Sequence, residues 1–534
     1  MSLRFAAALS ALLLAGSASA QTFSPDRIKS DVSFLADDLL EGRGTGTRGY
    51  DIAARFVAER YEALGLKPGG NKGWFQDINF VSAAPDPTHV SAVTLNGVRF
   101  EHGGHAIMSP AANDSAIDQS APAVFVGWGL ENKQYGLDDY RGLDVKGKIV
   151  VLMRGTPDGL PGDIAATLNE KKSELAVSKG AIGVVTIATQ ETLKAFPWAK
   201  ILANSAVPRM RYVHPDGQIE DVTGPLKLSG FIDPTAAEQL FKGSSLDGKV
   251  AAMLGDKKAR PKGFALTSPI RVERFGKINR VRSANVLGLL EGVDPTLKNE
   301  VVMLTAHLDH LGIIPGRTGD AIANGAMDNA AGIATMLEAA RAFVDSGKRP
   351  KRSILFVALT GEEKGLLGSE YLSKYSEPAG KNLVADVNLD EPLMTYDFTD
   401  VIAFGAEHST IGATVERAGA QLGVKLSPDP QPEQNIFVRS DHYKFVQQGV
   451  PAVMLSTGMA NGGEAAWKVY EEKHYHDPSD DLSQPIDWAA GAKFAKINYL
   501  IARDLADAPT DPLWYANDFF GDKFAPNAPK APKR

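Results

Sequence analysis

The sequence contains no cysteine among its 534 residues. A disulfide framework, a thiolate metal site and a lipid-modified cysteine are therefore all excluded. Any metal ion bound by this chain must instead be held by histidine, aspartate and glutamate side chains.

Long apolar runs and an excess of positive charge are missing as well. No apolar stretch is long enough to span a bilayer, so we expect no membrane insertion. The formal net charge of -7 argues against a nucleic-acid partner. Residues 1–20 combine a basic Arg4, a short apolar stretch and Ala18-Ser19-Ala20, which is typical of a cleaved signal peptide. We therefore expect a periplasmic or secreted protein.

The chain is too long for one ordinary hydrophobic core, so about two globular units are expected. Residues 26–40 and 50–64 are predicted to be helices. From about residue 80 to 265, short apolar runs alternate with Gly, Pro and Asp, which predicts a small β-rich domain. From about Ser283 onward, strands and helices alternate, which predicts an α/β fold with a mostly parallel central sheet flanked by helices.

Candidate metal ligands follow several of these predicted strands. Taken singly, each has an ordinary structural explanation, such as an N-cap for Asp328 or a solvated surface for a glutamate pair. Together they gather at one edge of the sheet, where open α/β sheets bind ligands. The candidate ligands are His307, Asp328, Glu363, Asp390 and His476, and Asp309, Glu362 and Tyr475 stand beside them in the sequence.

Two histidines and three carboxylates suit two zinc ions. If each zinc takes one histidine, one terminal carboxylate, a shared carboxylate and a shared water, both reach four-coordination. One glutamate of the Glu362-Glu363 pair must stay unligated to accept the proton of the water. Asp309 stands two residues after His307, and we expect it to orient the imidazole.

Five motifs occur in a fixed order: AHLDHLG, NGAMDNAAG, LTGEEKGLLGS, VNLDEP and YHDPSD. They resemble the co-catalytic zinc exopeptidases of metallopeptidase family twenty-eight, which include bacterial leucyl aminopeptidases. The resemblance covers roughly residues 26–510. Met327 departs from it, because members more often have an acidic residue beside the bridging aspartate.

This resemblance implies a role for each candidate residue. It also implies a cis peptide bond between Asp328 and Asn329. By the resemblance the roles are as follows: His307 and Asp390 hold one zinc, Glu363 and His476 hold the other, Asp328 bridges the two, Glu362 is the general base, Asp309 orients His307, and Tyr475 donates to the oxyanion.

The segments AVFVGWGL and KGAIGVV resemble the protease-associated domain that many members carry as an insert. The predicted organisation is a signal peptide at 1–20, a discontinuous zinc peptidase domain at 21–110 and 265–510, an insert at 111–264 and a tail at 511–534. The tail is expected to be disordered from Ala525, because it is rich in Pro, Lys and Ala.

An aminopeptidase acting on peptides is the leading prediction. A carboxypeptidase needs a cation to grip the substrate carboxylate, and Arg439 offers one. A glutaminyl cyclase would keep much of the constellation, often with one zinc. From a different class, the fold could serve as a non-catalytic binding scaffold, against which the complete ligand set and Glu362 argue.

Overall fold

The computed structural model describes residues 22–378 and 380–533, so the predicted signal peptide lies outside the described residues. The α/β class is confirmed, with a large central sheet flanked by helices. In spatial order, the main path of this sheet contains Arg209–Tyr212, Phe75–Pro85, Ile270–Leu290, Ser353–Leu359, Glu300–His307, Asn382–Leu389, Ala452–Thr457, Asp400–Phe404 and Lys425–Ser427; Lys67–Pro68, Ala92–Leu95, Val98–Glu101 and Ala116–Ala121 pair off this path.

The four strands at the centre of this path are parallel to one another: Ser353–Leu359, Glu300–His307, Asn382–Leu389 and Ala452–Thr457. They are the short apolar runs rich in β-branched residues that the sequence shows. Antiparallel pairing enters at their flanks, through the long strand Ile270–Leu290 on one side and Asp400–Phe404 on the other. The predicted parallel arrangement therefore describes the centre of a mixed sheet.

Helices cover both faces of the parallel strands because successive side chains of a strand point to opposite faces. Val302 and Leu304 pack on the larger helical layer, while Val301 and Met303 pack on the other side with Leu372. The helices of the larger layer are Pro25–Leu35, Arg48–Ala63, Gly332–Asp345, Ile411–Ala420 and Trp488–Asp507; those of the other face include Leu367–Lys374 and His442–Val446. No helix among the described residues is long and apolar enough to cross a membrane.

A second, six-stranded sheet occupies much of the segment predicted as an insert. Its order is Phe264–Ala265, Ala123–Phe125, Ile149–Met153, Gly183–Ile187, Leu228–Ile232 and Ala106–Met108. The remaining helices outside the central layers are Gly162–Glu170, Lys172–Ser178, Gln190–Ala195, Trp198–Asn204, Pro234–Phe241, Val250–Gly255, Gly463–Lys473 and Phe519–Phe524. The assignment of this unit as a protease-associated domain stays a prediction.

The two sheets do not divide the chain at one clean boundary. Ala116–Ala121 and Arg209–Tyr212 fall within the predicted insert, yet both pair with strands of the central sheet. Ala116–Ala121 runs alongside Ile270–Leu290, and Arg209–Tyr212 runs alongside Phe75–Pro85. Both partners are long strands that extend beyond the parallel centre, where their backbone groups are available for pairing.

The C-terminal segment differs from the predicted disorder. Lys530–Ala531 pairs in parallel with Trp514–Tyr515, and Trp514 is buried. The Lys530 ammonium donates to the carbonyl oxygens of Gly521 and Ala525. Composition alone predicted disorder here, but these contacts tie the segment to the Trp514 core.

Gly49 provides a test of packing around the first helices. A Cβ at this position would lie 1.7 Å from the carbonyl oxygen of Leu40, so Gly49→Ala must displace backbone. We expect it to lower the free energy of unfolding by about 1–3 kcal/mol, as overpacking does. The measurement is the guanidinium unfolding midpoint by tryptophan fluorescence.

Gly104→Ala is the matched control, because its Cβ would meet only an ordinary contact, 3.6 Å from the Glu101 carbonyl oxygen. An unchanged midpoint in Gly49→Ala, equal to that of the control, would contradict this packing.

Candidate metal centre

The parallel strands end at one edge of the sheet and bring the candidate residues together there. His307 is the last residue of its strand and pairs with Leu359, so the Thr360-to-Glu363 turn begins beside it. Asp390 directly follows the neighbouring strand Asn382–Leu389. These side chains meet because the carboxyl ends of parallel strands share an edge, as the sequence predicts.

His307, Asp328 and Asp390 form what we call the first donor set. The Nε2 atom of His307 lies 2.9 Å from Asp390 Oδ1 and 3.1 Å from Asp328 Oδ1. The other ring nitrogen, Nδ1, lies 3.0 Å from the backbone oxygen of Asp309 and donates to it. Nδ1 therefore carries a proton, and Nε2 faces the two carboxylates, a position where either a second proton or a metal ion can lie between them.

Asp309 orients His307 through its backbone carbonyl, and not through its carboxylate as predicted. The backbone carbonyl holds the imidazole, whereas the carboxylate accepts from the Thr45 hydroxyl at 2.7 Å and from the Glu362 N–H at 3.2 Å. A fully buried carboxylate requires such donors. The Asp309 side chain thus fixes the turn that carries Glu362.

Asp328, Glu363, His310 and His476 form the second donor set. His476 Nε2 lies 3.3 Å from Asp328 Oδ2 and 3.6 Å from Glu363 Oε2. His310 Nδ1 lies 2.7 Å from Glu363 Oε1 and 3.7 Å from Asp328 Oδ2. The two oxygens of Asp328 therefore face different donor sets, as a bridging ligand requires.

These distances fit zinc. Two ligand atoms bound at about 2.0–2.2 Å in a tetrahedral arrangement are separated by about 3.4 Å. Four of the separations given above, from 3.1 to 3.7 Å, lie around that value, while the other two, 2.7 and 2.9 Å, are hydrogen-bond distances. Imidazole with carboxylate is a donor combination that zinc accepts. The residues present therefore fit the metal.

The electrostatics of the first donor set also favour a cation. Burial by itself lowers the pKa of His307, but Asp390 and Asp328 outweigh it and hold that pKa well above its ordinary value. Burial raises the pKa of Glu362 well above its ordinary value, and the charges of Glu363 and Asp390 add to the rise. A carboxyl in this condition is suited to exchange a proton.

Tyr475 lies next to the second donor set. Its ring stacks on the imidazole of His476 with centroids 4.0 Å apart, and part of its side chain remains exposed. The structure thus places all eight predicted site residues around one edge of the central sheet. The predicted cis peptide bond between Asp328 and Asn329 is also present.

His310 is a site residue that the sequence reasoning missed. It is fully buried, and the signal lay in AHLDHLG, where a second histidine follows Asp309. Its Nε2 has no hydrogen-bond partner within the part of the chain that the structure describes. A proton on Nδ1 then donates to Glu363 Oε1 and leaves Glu363 Oε2 to face His476.

Arg43 was also missed, because residues 41–47, EGRGTGT, are typical of a glycine-rich turn. The buried guanidinium donates to the carbonyl oxygens of Leu35, Leu308, Asn324 and Gly325. It therefore ties the amino-terminal segment to the loops that follow His307 and precede Asp328. Burial lowers the pKa of Arg43 to about 10, and carboxylates of the site oppose that fall.

Two further side chains position the ligands. Asp480 accepts from the backbone N–H groups of Met327 and Asp328, which holds the turn of the bridging aspartate. The Ser440 hydroxyl donates to Asp390 Oδ2 at 2.5 Å, and the side-chain amide of Asn388 donates to that hydroxyl oxygen.

Comparison with known proteins identifies relatives of this arrangement. Residues 285–502 match the family model described as "Peptidase family M28". A "Glutamate carboxypeptidase 2 homolog" of Caenorhabditis elegans is 26% identical over 330 residues, which is 54% of this chain and 39% of that protein. A "Probable zinc metalloprotease" of Pyrenophora tritici-repentis is 47% identical over 68 residues, which is 13% of this chain and 15% of that protein.

This chain thus spans less than half the length of these two relatives. Among solved structures, an aminopeptidase from Aneurinibacillus sp. strain AM-1 superposes with a TM-score of 0.53 at 18% identity. That likeness covers 92% of this chain and 95% of the other, and it concerns the fold.

Asp328→Asn tests the shared carboxylate. The amide keeps the shape but removes the charge that faces both donor sets, so we expect zinc affinity to fall at both. The measurement is zinc per chain by plasma mass spectrometry after dialysis. Asp386→Asn is the matched control, because Asp386 is a buried carboxyl of the same sheet whose pKa burial raises well above its ordinary value. Equal zinc content in both variants would contradict the assignment.

His310→Ala tests the second donor set. Without the imidazole, Glu363 Oε1 loses its neighbour at 2.7 Å. We expect a loss of about 10–100-fold in zinc affinity, measured by competition with a chelator, as for other groups that hold metal ligands. His474→Ala is the control, since His474 Nδ1 lies 3.0 Å from two oxygen atoms of Ser479 and forms no ion pair with a carboxylate among the described residues. An unchanged affinity in His310→Ala would show that Glu363 needs no such partner.

Proposed function

We propose that this chain is a zinc-dependent exopeptidase that removes amino-terminal residues from peptides, because residues 285–502 match the family model described as "Peptidase family M28". The observation that carries the proposal is the position of Glu362. Its backbone N–H donates to the Asp309 carboxylate, and burial and the charges of Glu363 and Asp390 raise the pKa of its carboxyl.

In this proposal His307, Asp390 and Asp328 would hold one zinc ion, and Asp328, Glu363 and His476 would hold the second. Two such ions would lower the pKa of a bound water and polarise the carbonyl of the scissile peptide. His310 donates to Glu363 and keeps its remaining oxygen turned to the centre. Ser440 and the Asp309 carbonyl fix the orientation of Asp390 and His307 in the same way.

Glu362 serves as the general base and then as the acid. It accepts a proton from the attacking water and delivers it to the leaving amine, so one carboxyl handles both transfers. The Asp309 carboxylate holds the backbone of Glu362 for this task. Tyr475, stacked on His476, donates its hydroxyl to the oxyanion of the tetrahedral intermediate.

The charges around the centre support action at the amino end of a peptide. Glu391 directly follows Asp390, and its pKa lies well above the ordinary value because of burial and the charges of Asp328 and Asp390. This carboxyl can accept from the ammonium group of a free amino terminus.

A carboxypeptidase is the second candidate, and Arg439 is the cation it would use. Arg439 is exposed, and its charge acts on Tyr475.

Within the same proposal, residues 1–20 direct export, and the second sheet acts as a protease-associated wall that selects substrates.

The direct experiment is hydrolysis of matched peptides that are unblocked, amino-acetylated or carboxy-amidated, with and without a chelator. An aminopeptidase releases single amino-terminal residues from the unblocked and amidated peptides only, and the chelator abolishes the release. Cleavage of the acetylated but not the amidated peptide would instead establish the carboxypeptidase.

Glu362→Gln isolates the base. We expect kcat to fall by about 100-fold or more, since general base catalysis contributes about 10²–10⁴-fold, while zinc content stays that of the wild type. Glu377→Gln is the control, because Glu377 lies in the loop that precedes the amino end of Asn382–Leu389, whereas the site lies at the carboxyl ends of the strands. Full activity in Glu362→Gln would remove the proposed mechanism.

A further inference from the structure

A second group of metal-ligating side chains lies away from the metal centre. Glu407 and His408 stand in the turn between Asp400–Phe404 and Ile411–Ala420. Asp163 lies in the first turn of the helix Gly162–Glu170, which belongs to the segment of the second sheet. One ligand atom from each of the three residues lies within 4.8 Å of the other two. We call these residues the Asp163 cluster.

The imidazole of His408 is held in one orientation. Its Nδ1 lies 2.6 Å from Asp518 Oδ2, while Asp518 Oδ1 caps the helix Phe519–Phe524 by accepting from two backbone N–H groups. The rings of Phe437 and Phe520 pack against the imidazole. Because Nδ1 donates to the Asp518 carboxylate, Nε2 is the ring nitrogen left to bind a metal ion, as in the carboxylate–histidine pairs that support metal ligands.

The Nε2 atom itself is buried and has no hydrogen-bond partner within residues 22–378 and 380–533. Its nearest carboxylate atom in the cluster, Glu407 Oε1, lies 3.6 Å away. That distance exceeds the range of about 2.7–3.2 Å for a hydrogen bond. It matches the separation of about 3.4 Å between two atoms that bind one zinc ion at about 2.0–2.2 Å.

The carboxylates of the cluster converge on this nitrogen. Burial and the charges of Glu407 and Asp429 together raise the pKa of Asp163 to about 6, and His408 opposes that rise. An imidazole nitrogen and carboxylates that converge in this way are stabilised by a cation between them, and a divalent metal ion can take the place of a proton there. The absence of thiolates and the presence of one imidazole select zinc or a similar divalent transition metal.

We propose that Asp163, Glu407 and His408 bind a zinc ion that is separate from the metal centre, with water at the remaining position. This ion joins the helix Gly162–Glu170 to the central-sheet unit. The same helix contacts that unit where the Thr167 hydroxyl meets the Tyr443 hydroxyl at 2.9 Å. The site is therefore a clamp between the segment of the second sheet and the central sheet, and it is independent of catalysis.

The test counts zinc in the purified full chain after loading with zinc chloride and dialysis. Asp163→Asn and His408→Gln each bind one zinc ion fewer than the wild type. His105→Gln is the matched control, because His105 Nδ1 also lies 2.6 Å from a helix-capping carboxylate, Asp233, but within the described part of the chain His105 belongs to no group of three ligands. It binds as much zinc as the wild type.

A second readout covers the clamp itself. Zinc slows amide hydrogen exchange in the helix Gly162–Glu170 of the wild type and of His105→Gln, and it has no such effect in Asp163→Asn. Asp163 is only half buried, so this variant stays informative even where His408→Gln fails to fold. Equal zinc content in the wild type and Asp163→Asn, or equal loss in the His105 variant, would overturn the proposal.

Discussion

Buried negative charge at the ends of the central strands is the constraint on which the rest of the structure depends. Asp328, Glu363 and Asp390 converge there, with Glu362 beside them and with imidazoles between them. Buried carboxylates are costly unless they are paired or coordinate a metal. Neighbouring groups hold them in place. The Asp480 carboxylate accepts from the backbone N–H of Asp328, the Ser440 hydroxyl donates to Asp390, and the Asp309 carbonyl accepts from His307.

Much of the fold follows from patterns that a single sequence displays. The apolar runs before His307, Glu362 and Asp390 become parallel strands because they are short, β-branched and buried on both faces. Their ends must share an edge once the strands are parallel, so the meeting of these residues follows from the alternation of strands and helices. The roles proposed for these residues come from the order of the motifs.

Other contacts depend on loop geometry and could not be predicted in this way. Arg43 follows the helix Pro25–Leu35 in sequence, yet its donors reach carbonyl groups more than 260 residues away. The choice of the Asp309 carbonyl over its carboxylate depends on how the chain turns after the strand. His310 is the second histidine of AHLDHLG, but only the fold reveals that its ring faces Glu363 and not solvent.

Zinc-edge anomalous diffraction from crystals of the zinc-loaded chain tests most directly whether the two donor sets bind two zinc ions. We expect two peaks about 3.5–4 Å apart, as in two-metal sites. One lies beside His307 and Asp390 and the other beside Glu363 and His476, with Asp328 next to both. A single peak that leaves one donor set without metal would contradict the two-ion centre, and no peak at the ends of the central strands would contradict the metal centre altogether.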